Sequence, residues 1–173
     1  MQDDPTFEPR FCYLLAVLIV LADQSTKLVV EQYFHFGEIL PVIQWVNLLN
    51  LTFVTNTGAA WGILEGYTTF LVLVSLLVSA GCVWIIEKSH QPLVRFAATC
   101  IFGGGIGNML DRVFLSYGVV DFVDLGIYGL RWPTFNVADS MLTVGMVVFL
   151  ISLLRSEEFL FESKPARETE PNG

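Results

Sequence analysis

Long apolar runs dominate the hydrophobic and polar pattern of this chain and predict membrane-spanning helices. A helix of about 20 apolar residues crosses a hydrocarbon core of about 30 Å. One run contains no charged side chain, whereas the first run reaches spanning length only if it includes Asp23 and Lys27. The pattern predicts four spans, which places both termini on one side of the membrane. The predicted spans are residues 11–30, 67–86, 93–111 and 137–154.

A fifth apolar stretch, residues 39–63, has a different composition. It contains Pro41, Gly58 and several Asn and Gln side chains, which would each need a partner in hydrocarbon. Its many β-branched and aromatic residues favour extended structure. We therefore predict short strands at the membrane surface. The predicted fold class is an all-α membrane protein: four transmembrane helices with a small extracytoplasmic β-sheet, in one domain over residues 1–173. The polar, Glu-rich tail, residues 155–173, is expected to be disordered beyond its first turn or two.

Composition and charge exclude several classes of protein. Charged residues make up 15% of the chain, against about 25% in a typical soluble domain. The net charge is −8 and the sequence contains no basic patch, which argues against a nucleic-acid partner. Three cysteines in apolar runs and two distant histidines indicate neither a disulfide framework nor a metal site. The first run follows an acidic flank and precedes no small-residue cleavage site, so it is interpreted as a retained helix.

The distribution of basic residues predicts the orientation. Cytoplasmic loops of membrane proteins carry an excess of Lys and Arg. The side that holds the termini has the larger share, so both termini are predicted to be cytoplasmic. The basic residues are Arg10, Lys88, Arg95, Arg155, Lys164 and Arg167 on that side, and Lys27, Arg112 and Arg131 on the other.

Several charged residues gather at the outward ends of the predicted spans. Such groups are costly near hydrocarbon and mark a functional site by default. A purely structural interpretation stays open for each: Asp23 and Lys27 form an interfacial i,i+4 pair, and Asn136 caps a helix with Asp139 in its first turn. Two carboxylates brought together share a proton, so that one acts as base and the other as acid. The candidates for such a pair are Asp121, Asp124 and Asp139.

Four motifs occur in order between residues 11 and 154, and together they are specific. With them, the chain resembles the lipoprotein signal peptidases (signal peptidase II), which are aspartic proteases of bacterial inner membranes. The motifs are DQSTK at 23–27, NTGAAW at 56–61, GGGIGNMLDR at 103–112 followed by VVDF at 119–122, and FNVADS at 135–140.

The resemblance implies a reaction and a set of residues. It implies cleavage of prolipoproteins just before a diacylglyceryl-modified cysteine, with Asp121 and Asp139 as the catalytic pair. Asp124 matches no motif and is left out. The resemblance implies no metal and no cofactor, and we expect a monomer whose partners are membrane lipids and the lipid-modified substrate. The positions implied to support the pair or bind substrate are Asp23, Lys27, Asn56, Gly58, Asn108, Asp111, Arg112, Asn136 and Ala138.

Two other classes of function stay open at this point. A small proton or ion carrier would use membrane carboxylates as a relay, but it would be expected to place them through the depth of the spans. Residues 67–86 contain none. A structural scaffold of capped helices is the second alternative, and the glycine-rich run at 103–107 would suit close helix packing.

Overall fold

The computed structural model of the chain describes residues 8–43, 48–58 and 63–161, with side chains described as far as Arg155. Within these residues, four helices are long and apolar enough to cross a membrane, which confirms the predicted number of transmembrane helices. Parts of the predicted surface stretch, 44–47 and 59–62, and the tail beyond 161 lie outside the described residues. The helices are α1 (Pro9–Tyr33), α2 (Thr68–Lys88), α3 (Pro92–Phe114) and α4 (Val137–Phe161).

Helix α3 lies at the centre of the bundle because its glycines let the neighbouring helices approach closely. A Cβ atom at Gly103 would lie 3.0 Å from the Cβ of Ile19 on α1. One at Gly104 would lie 2.5 Å from the carbonyl oxygen of Ala138 on α4. Any larger residue at either position would push a helix away, so the predicted role of the glycine-rich run in helix packing is confirmed.

A four-stranded antiparallel sheet lies at the end of the bundle where α1 and α3 end and where α2 and α4 begin. The first two strands confirm the prediction of extended structure in the fifth apolar stretch. The other two strands follow α3 and form a hairpin that was not predicted. The strands, in sheet order, are β1 (Ile39–Ile43), β2 (Leu49–Asn56), β3 (Val119–Ile127) and β4 (Leu130–Arg131).

Apolar side chains of β3 pack the sheet against the helix bundle. Val120 and Phe122 are buried against Val30, which lies near the end of α1. Where β3 begins, Gly118 has a φ of +101°, and a Cβ atom there would lie 2.6 Å from the carbonyl oxygen of Asn56. Only glycine accepts both constraints. The end of β2 and the start of β3 are thereby held side by side above the helix ends.

Candidate active site

A buried cluster of polar and charged side chains lies where α1, α3, α4 and β3 meet. Most of its members are fully buried, although no apolar environment tolerates an isolated charge. Hydrogen bonds and ion pairs within the cluster must therefore compensate for the burial of these polar and charged groups. The buried members are Asp23 and Lys27 on α1, Asn108 and Asp111 on α3, Asp121 on β3, and Asn136 before α4.

Lys27 lies at the centre of the charged part of the cluster. Its Nζ atom is 2.8 Å from Asp23 Oδ2 and 2.8 Å from Asp111 Oδ2, and all three side chains are at most 3% exposed. The same Nζ donates a hydrogen bond to Asn108 Oδ1 at 3.0 Å. Asp23 and Lys27 therefore do form the i,i+4 ion pair, but the pair is buried rather than exposed, and a third charged side chain, Asp111, holds it.

The two acids bound to Lys27 also hold the backbone of the other elements. Asp23 Oδ1 accepts a hydrogen bond from the backbone N–H of Ala138 at 2.9 Å. Asp111 Oδ2 accepts one from the backbone N–H of Val120 at 3.2 Å. Each of these N–H groups belongs to the residue immediately before one of the two predicted catalytic aspartates. Lys27, Asp23 and Asp111 thus position Asp121 and Asp139 through the main chain.

Gln24 is a member of the cluster that the sequence interpretation missed. Its Nε2 atom donates to Asp111 Oδ1 at 2.9 Å, to Asp23 Oδ2 at 3.1 Å and to the carbonyl oxygen of Gly107 at 3.2 Å. It thereby joins α1 to α3 on the far side of the two acids. The available signal was its position inside the first motif, next to Asp23.

Two asparagines connect the predicted catalytic aspartates. Asn136 Nδ2 donates to Asp121 Oδ1 at 2.7 Å, and Asn108 Nδ2 donates to Asp139 Oδ1 at 2.7 Å. The asparagines are themselves joined, because Asn136 Nδ2 also donates to Asn108 Oδ1 at 3.0 Å. Asp121 and Asp139 are therefore the ends of one continuous hydrogen-bond chain.

The start of α4 explains why Asp139 takes part in this chain. Asn136 Oδ1 accepts the backbone N–H of Asp139 at 2.9 Å, and Asp139 Oδ2 accepts the backbone N–H of Asn136 at 3.3 Å. This reciprocal arrangement is a capping box, and it confirms Asn136 as the helix cap. Capping occupies only one carboxylate oxygen of Asp139. The other faces Asn108, and the side chain is half-buried rather than sealed.

Next to the end of β2, the cluster is bordered by Asn56, Gly58 and Arg112. Asn56 Nδ2 donates to Asp121 Oδ2 at 3.3 Å, and Asn56 Oδ1 accepts the backbone N–H of Gly58 at 2.9 Å. Arg112 Nη2 donates to the carbonyl oxygen of Gly58 at 2.7 Å. A Cβ atom at Gly58 would lie 2.7 Å from the carbonyl oxygen of Ile63, so this turn requires glycine.

The surroundings of Asp121 favour its protonated form. Burial has the largest effect and the negative charge of Asp139 the next, and together they raise the pKa of Asp121 from 3.8 to about 7. Hydrogen bonds from Asn56 and Asn136 and the charge of Lys27 oppose this rise in pKa without cancelling it. Near neutral pH, Asp121 can therefore hold or release a proton beside a second carboxylate.

Asp124 is the candidate acid that lies apart from the cluster. Arg131 Nε donates to Asp124 Oδ1 at 2.7 Å, and Asn50 Nδ2 donates to Asp124 Oδ2 at 3.0 Å. Of the three acids that the sequence left open, the structure connects Asp121 with Asp139. The positions taken from the resemblance all lie in or against the cluster around these two residues.

Comparison with known proteins now identifies the family. A family model described as signal peptidase (SPase) II matches residues 15–155, which include every member of the cluster. The chain belongs to the signal peptidase II family. This assignment confirms the resemblance found in the motifs.

Relatives and solved structures agree with membership of the signal peptidase II family. The chain is 39% identical over 144 residues to a lipoprotein signal peptidase of Staphylococcus aureus strain MRSA252, covering 82% of this chain and 86% of that protein. It is 38% identical, with the same coverage, to the one from strain JH9. A bacterial membrane enzyme solved by the in meso method at 2.3 Å superposes with a TM-score of 0.79 at 35% identity, covering 92% of this chain and 94% of that one. A second, solved at 1.9 Å, gives a TM-score of 0.74 at 38% identity, covering 83% of this chain and 92% of that one.

Proposed function

We propose that this chain removes signal peptides from prolipoproteins and that it does so as an aspartic endopeptidase. The peptidase activity follows from membership of the signal peptidase II family, whose compared members are lipoprotein signal peptidases. The aspartic mechanism rests on one observation: Asp121 and Asp139 terminate a single hydrogen-bond chain, and Asp139 raises the pKa of Asp121.

The pair supplies a base and an acid for peptide hydrolysis. The ionised carboxylate removes a proton from a water molecule, whose oxygen attacks the carbonyl carbon of the scissile bond. The neutral carboxyl group donates its proton to the carbonyl oxygen, which gives a tetrahedral intermediate. When the C–N bond breaks, the leaving amine takes a proton from the pair. Lys27, Asn108 and Asn136 hold the two acids in place throughout.

The position of the cluster suits a substrate that lies partly in the membrane. The cluster is at the ends of spanning helices and directly beneath the sheet. A precursor could place its signal segment and the acyl chains of a diacylglyceryl-modified cysteine among the helices. The rest of the precursor would then leave over the sheet. Cleavage just before that cysteine follows from the resemblance.

We infer that the site faces the outer leaflet of a bacterial inner membrane and that both termini are cytoplasmic, in a chain that acts as a monomer. The excess of basic residues on the terminal side supports this orientation. A reporter fused after Gly173 should read cytoplasmic, and one inserted near Glu38 should read external. Both reporters on one side would refute the four-span topology.

The proton or ion carrier is the weaker interpretation. The acids of the cluster lie at one end of the bundle, whereas a relay would extend across the membrane. The compared relatives are signal peptidases rather than carriers.

Cleavage of a diacylglyceryl-modified precursor by the purified chain tests the proposal directly. Asp121→Asn and Asp139→Asn should each abolish cleavage, and the double variant should be no worse, because residues that act as a unit are not additive. Glu87→Gln is the matched control: Glu87 is exposed, accepts a hydrogen bond from Tyr13 and lies at the opposite end of α2 from the sheet. A well-folded Asp139→Asn protein that still cleaves would refute the mechanism.

A further inference from the structure

Gln24 contacts both of the carboxylates that hold the main chain of the site, and the proposed mechanism gives it no role. Its half-buried side chain extends from α1 to α3. Its Nε2 atom is 2.9 Å from Asp111 Oδ1 and 3.1 Å from Asp23 Oδ2. Lys27 also contacts both acids. The two carboxylates are thus joined by a neutral amide as well as by a cation.

The neighbours of this amide decide which of its two ends faces the cluster. An ionised carboxylate and a backbone carbonyl only accept hydrogen bonds. The carbonyl oxygen of Gly107 lies 3.2 Å from Gln24 Nε2, so all three neighbours of that atom are acceptors. The NH₂ end must therefore point towards them. The position requires a side chain of this length that carries a neutral donor.

The amide supplies donors that Lys27 cannot provide. The two acids share one ammonium group, whose three N–H groups are directed to Asp23, Asp111 and Asn108. A buried carboxylate needs several donors to compensate for its lost hydration. Gln24 adds one donor to each of the two acids without adding charge. Such charge-assisted hydrogen bonds are stronger than those between neutral groups.

The same contacts fix the rotation of both carboxylates. Asp23 Oδ2 faces Lys27 and Gln24, which leaves Oδ1 for the backbone N–H of Ala138. In Asp111 the order differs, because Oδ1 accepts from Gln24 while Oδ2 accepts from Lys27 and from the backbone N–H before Asp121. Loss of the amide would remove the donor that holds Asp111 Oδ1. The carboxylate would then be free to turn away from the main chain.

We propose that Gln24 is a positioning residue for Asp121 and Asp139. Its amide fixes the orientation of Asp23 and Asp111, and these acids hold the residues immediately before Asp139 and Asp121. Gln24 acts through these acids and not on the reacting atoms. This inference rests on the proposed function and adds to it the requirement for a neutral donor at residue 24.

Steady-state cleavage of a synthetic diacylglyceryl-modified precursor tests this role. Gln24→Met keeps the approximate length of the side chain and removes the amide. We expect kcat to fall about ten- to a hundredfold, as for the loss of a hydrogen bond to a charged group or a small displacement of reacting groups. KM should change by less than about twofold, because substrate binding is not involved. Gln32→Met is the matched control, since Gln32 lies exposed on the same helix, and it should behave as wild type.

Gln24→Glu separates positioning from a general loss of structure. A protonated carboxyl group donates one hydrogen bond, whereas its ionised form only accepts. The ratio of kcat for Gln24→Glu to kcat for wild type should therefore rise about tenfold from pH 8 to pH 5, as for one regained hydrogen bond to a charged group. Division by the wild-type value removes the titration of the proposed catalytic pair. The charged groups around residue 24 are Asp23 and Lys27 on α1, Asp111 and Arg112 on α3, Asp121 on β3 and Asp139 on α4.

The corresponding ratio for Gln24→Met should be the same at both pH values, because methionine does not titrate. Gln32→Glu, which introduces the same carboxyl group on the exposed side of α1, should also give a constant ratio. If Gln24→Met fails to fold, the pH dependence of Gln24→Glu still decides the question.

Three results would overturn the inference. A Gln24→Met chain with the kcat of wild type would show that the amide is not needed. A raised KM at unchanged kcat would show that residue 24 acts on substrate binding. A Gln24→Glu ratio that does not change with pH would show that donation from this position is not the requirement. Absence of cleavage by the wild-type chain is a separate result, which would refute the proposed function and the inference with it.

Discussion

Replacing Asp121 with asparagine should stabilise the folded chain at alkaline pH while removing its activity. The pKa of this carboxyl is about 7 in the folded state, because it is buried and lies near Asp139. In an unfolded chain the pKa of an aspartate is about 3.9. Between these values the folded state binds the extra proton, so stability falls as pH rises from about 4 to about 7. Above pH 7 the full destabilisation is present.

The size of the effect follows from the difference in pKa. A difference of about three pKa units corresponds to a destabilisation of about 4 kcal/mol at pH 8, of which linkage leaves about 1.5 kcal/mol at pH 5. Asparagine carries no charge at either pH. The new NH₂ group faces an Nδ2 donor of Asn136 or Asn56, so one hydrogen bond to residue 121 is lost. This loss costs about 1–3 kcal/mol of stability and does not depend on pH. Relative to wild type, the variant should therefore gain about 2–3 kcal/mol between pH 5 and pH 8.

Thermal unfolding in one detergent at both pH values measures this gain. Intrinsic tryptophan fluorescence can follow it, and the difference in Tm between Asp121→Asn and wild type should increase by about 5–10 °C from pH 5 to pH 8. Glu87→Gln, which removes an exposed carboxylate, should show no such trend. A variant that is less stable than wild type by the same amount at both pH values would refute the reasoning, since Asp121 would then carry no burial penalty.

Three further predictions concern the surroundings of the pair. Lys27→Met leaves two buried carboxylates without their cation and should lower stability by about 3–5 kcal/mol, measured as a fall in Tm. Gly107→Ala places a Cβ atom 2.7 Å from Asp23 Oδ2 and should reduce both cleavage and Tm. Gly81→Ala places its Cβ atom where nothing lies within 4 Å and should stabilise the folded chain by about 0.5–1 kcal/mol. Equal effects of the two substitutions would contradict the packing argument. Cleavage should decline as pH rises through about 7, because Asp121 loses the shared proton, and a pH–rate profile that stays flat to pH 9 would contradict this.

Much of the fold could be predicted because its signals are local. Apolar runs define the spans, glycine spacing predicts the close approach to α3, and Asn136 marks the start of α4. Strand β3 escaped prediction for a physical reason. Its first four residues, 119–122, are all buried, so the alternation that identifies a half-exposed strand is missing, and Asp121 and Asp124 interrupt its apolar character.

The composition of the site could be predicted only in part. The motifs named almost all of its residues, but spacing along the chain could not decide which of the acids meet. That pairing depends on Asn108 on α3 and Asn136 just before α4, which contact each other only after the helices have packed. The role of Gln24 was missed for the same reason, because its partner Asp111 lies 87 residues away.

The attachment of Lys27 to two acids that hold the main chain before Asp121 and Asp139 has a consequence for biosynthesis under the proposed mechanism. The arrangement forms only when the first, third and fourth helices have associated, since Asp23 lies on the first, Asp111 on the third and Asp139 on the fourth. A chain whose last helix has not yet entered the membrane therefore has no competent proteolytic centre. Separate expression of residues 1–116 and 117–173 should give inactive halves that recover cleavage on co-expression. Under the proposed mechanism, the enzyme would thus stay inactive until its last helix has entered the membrane.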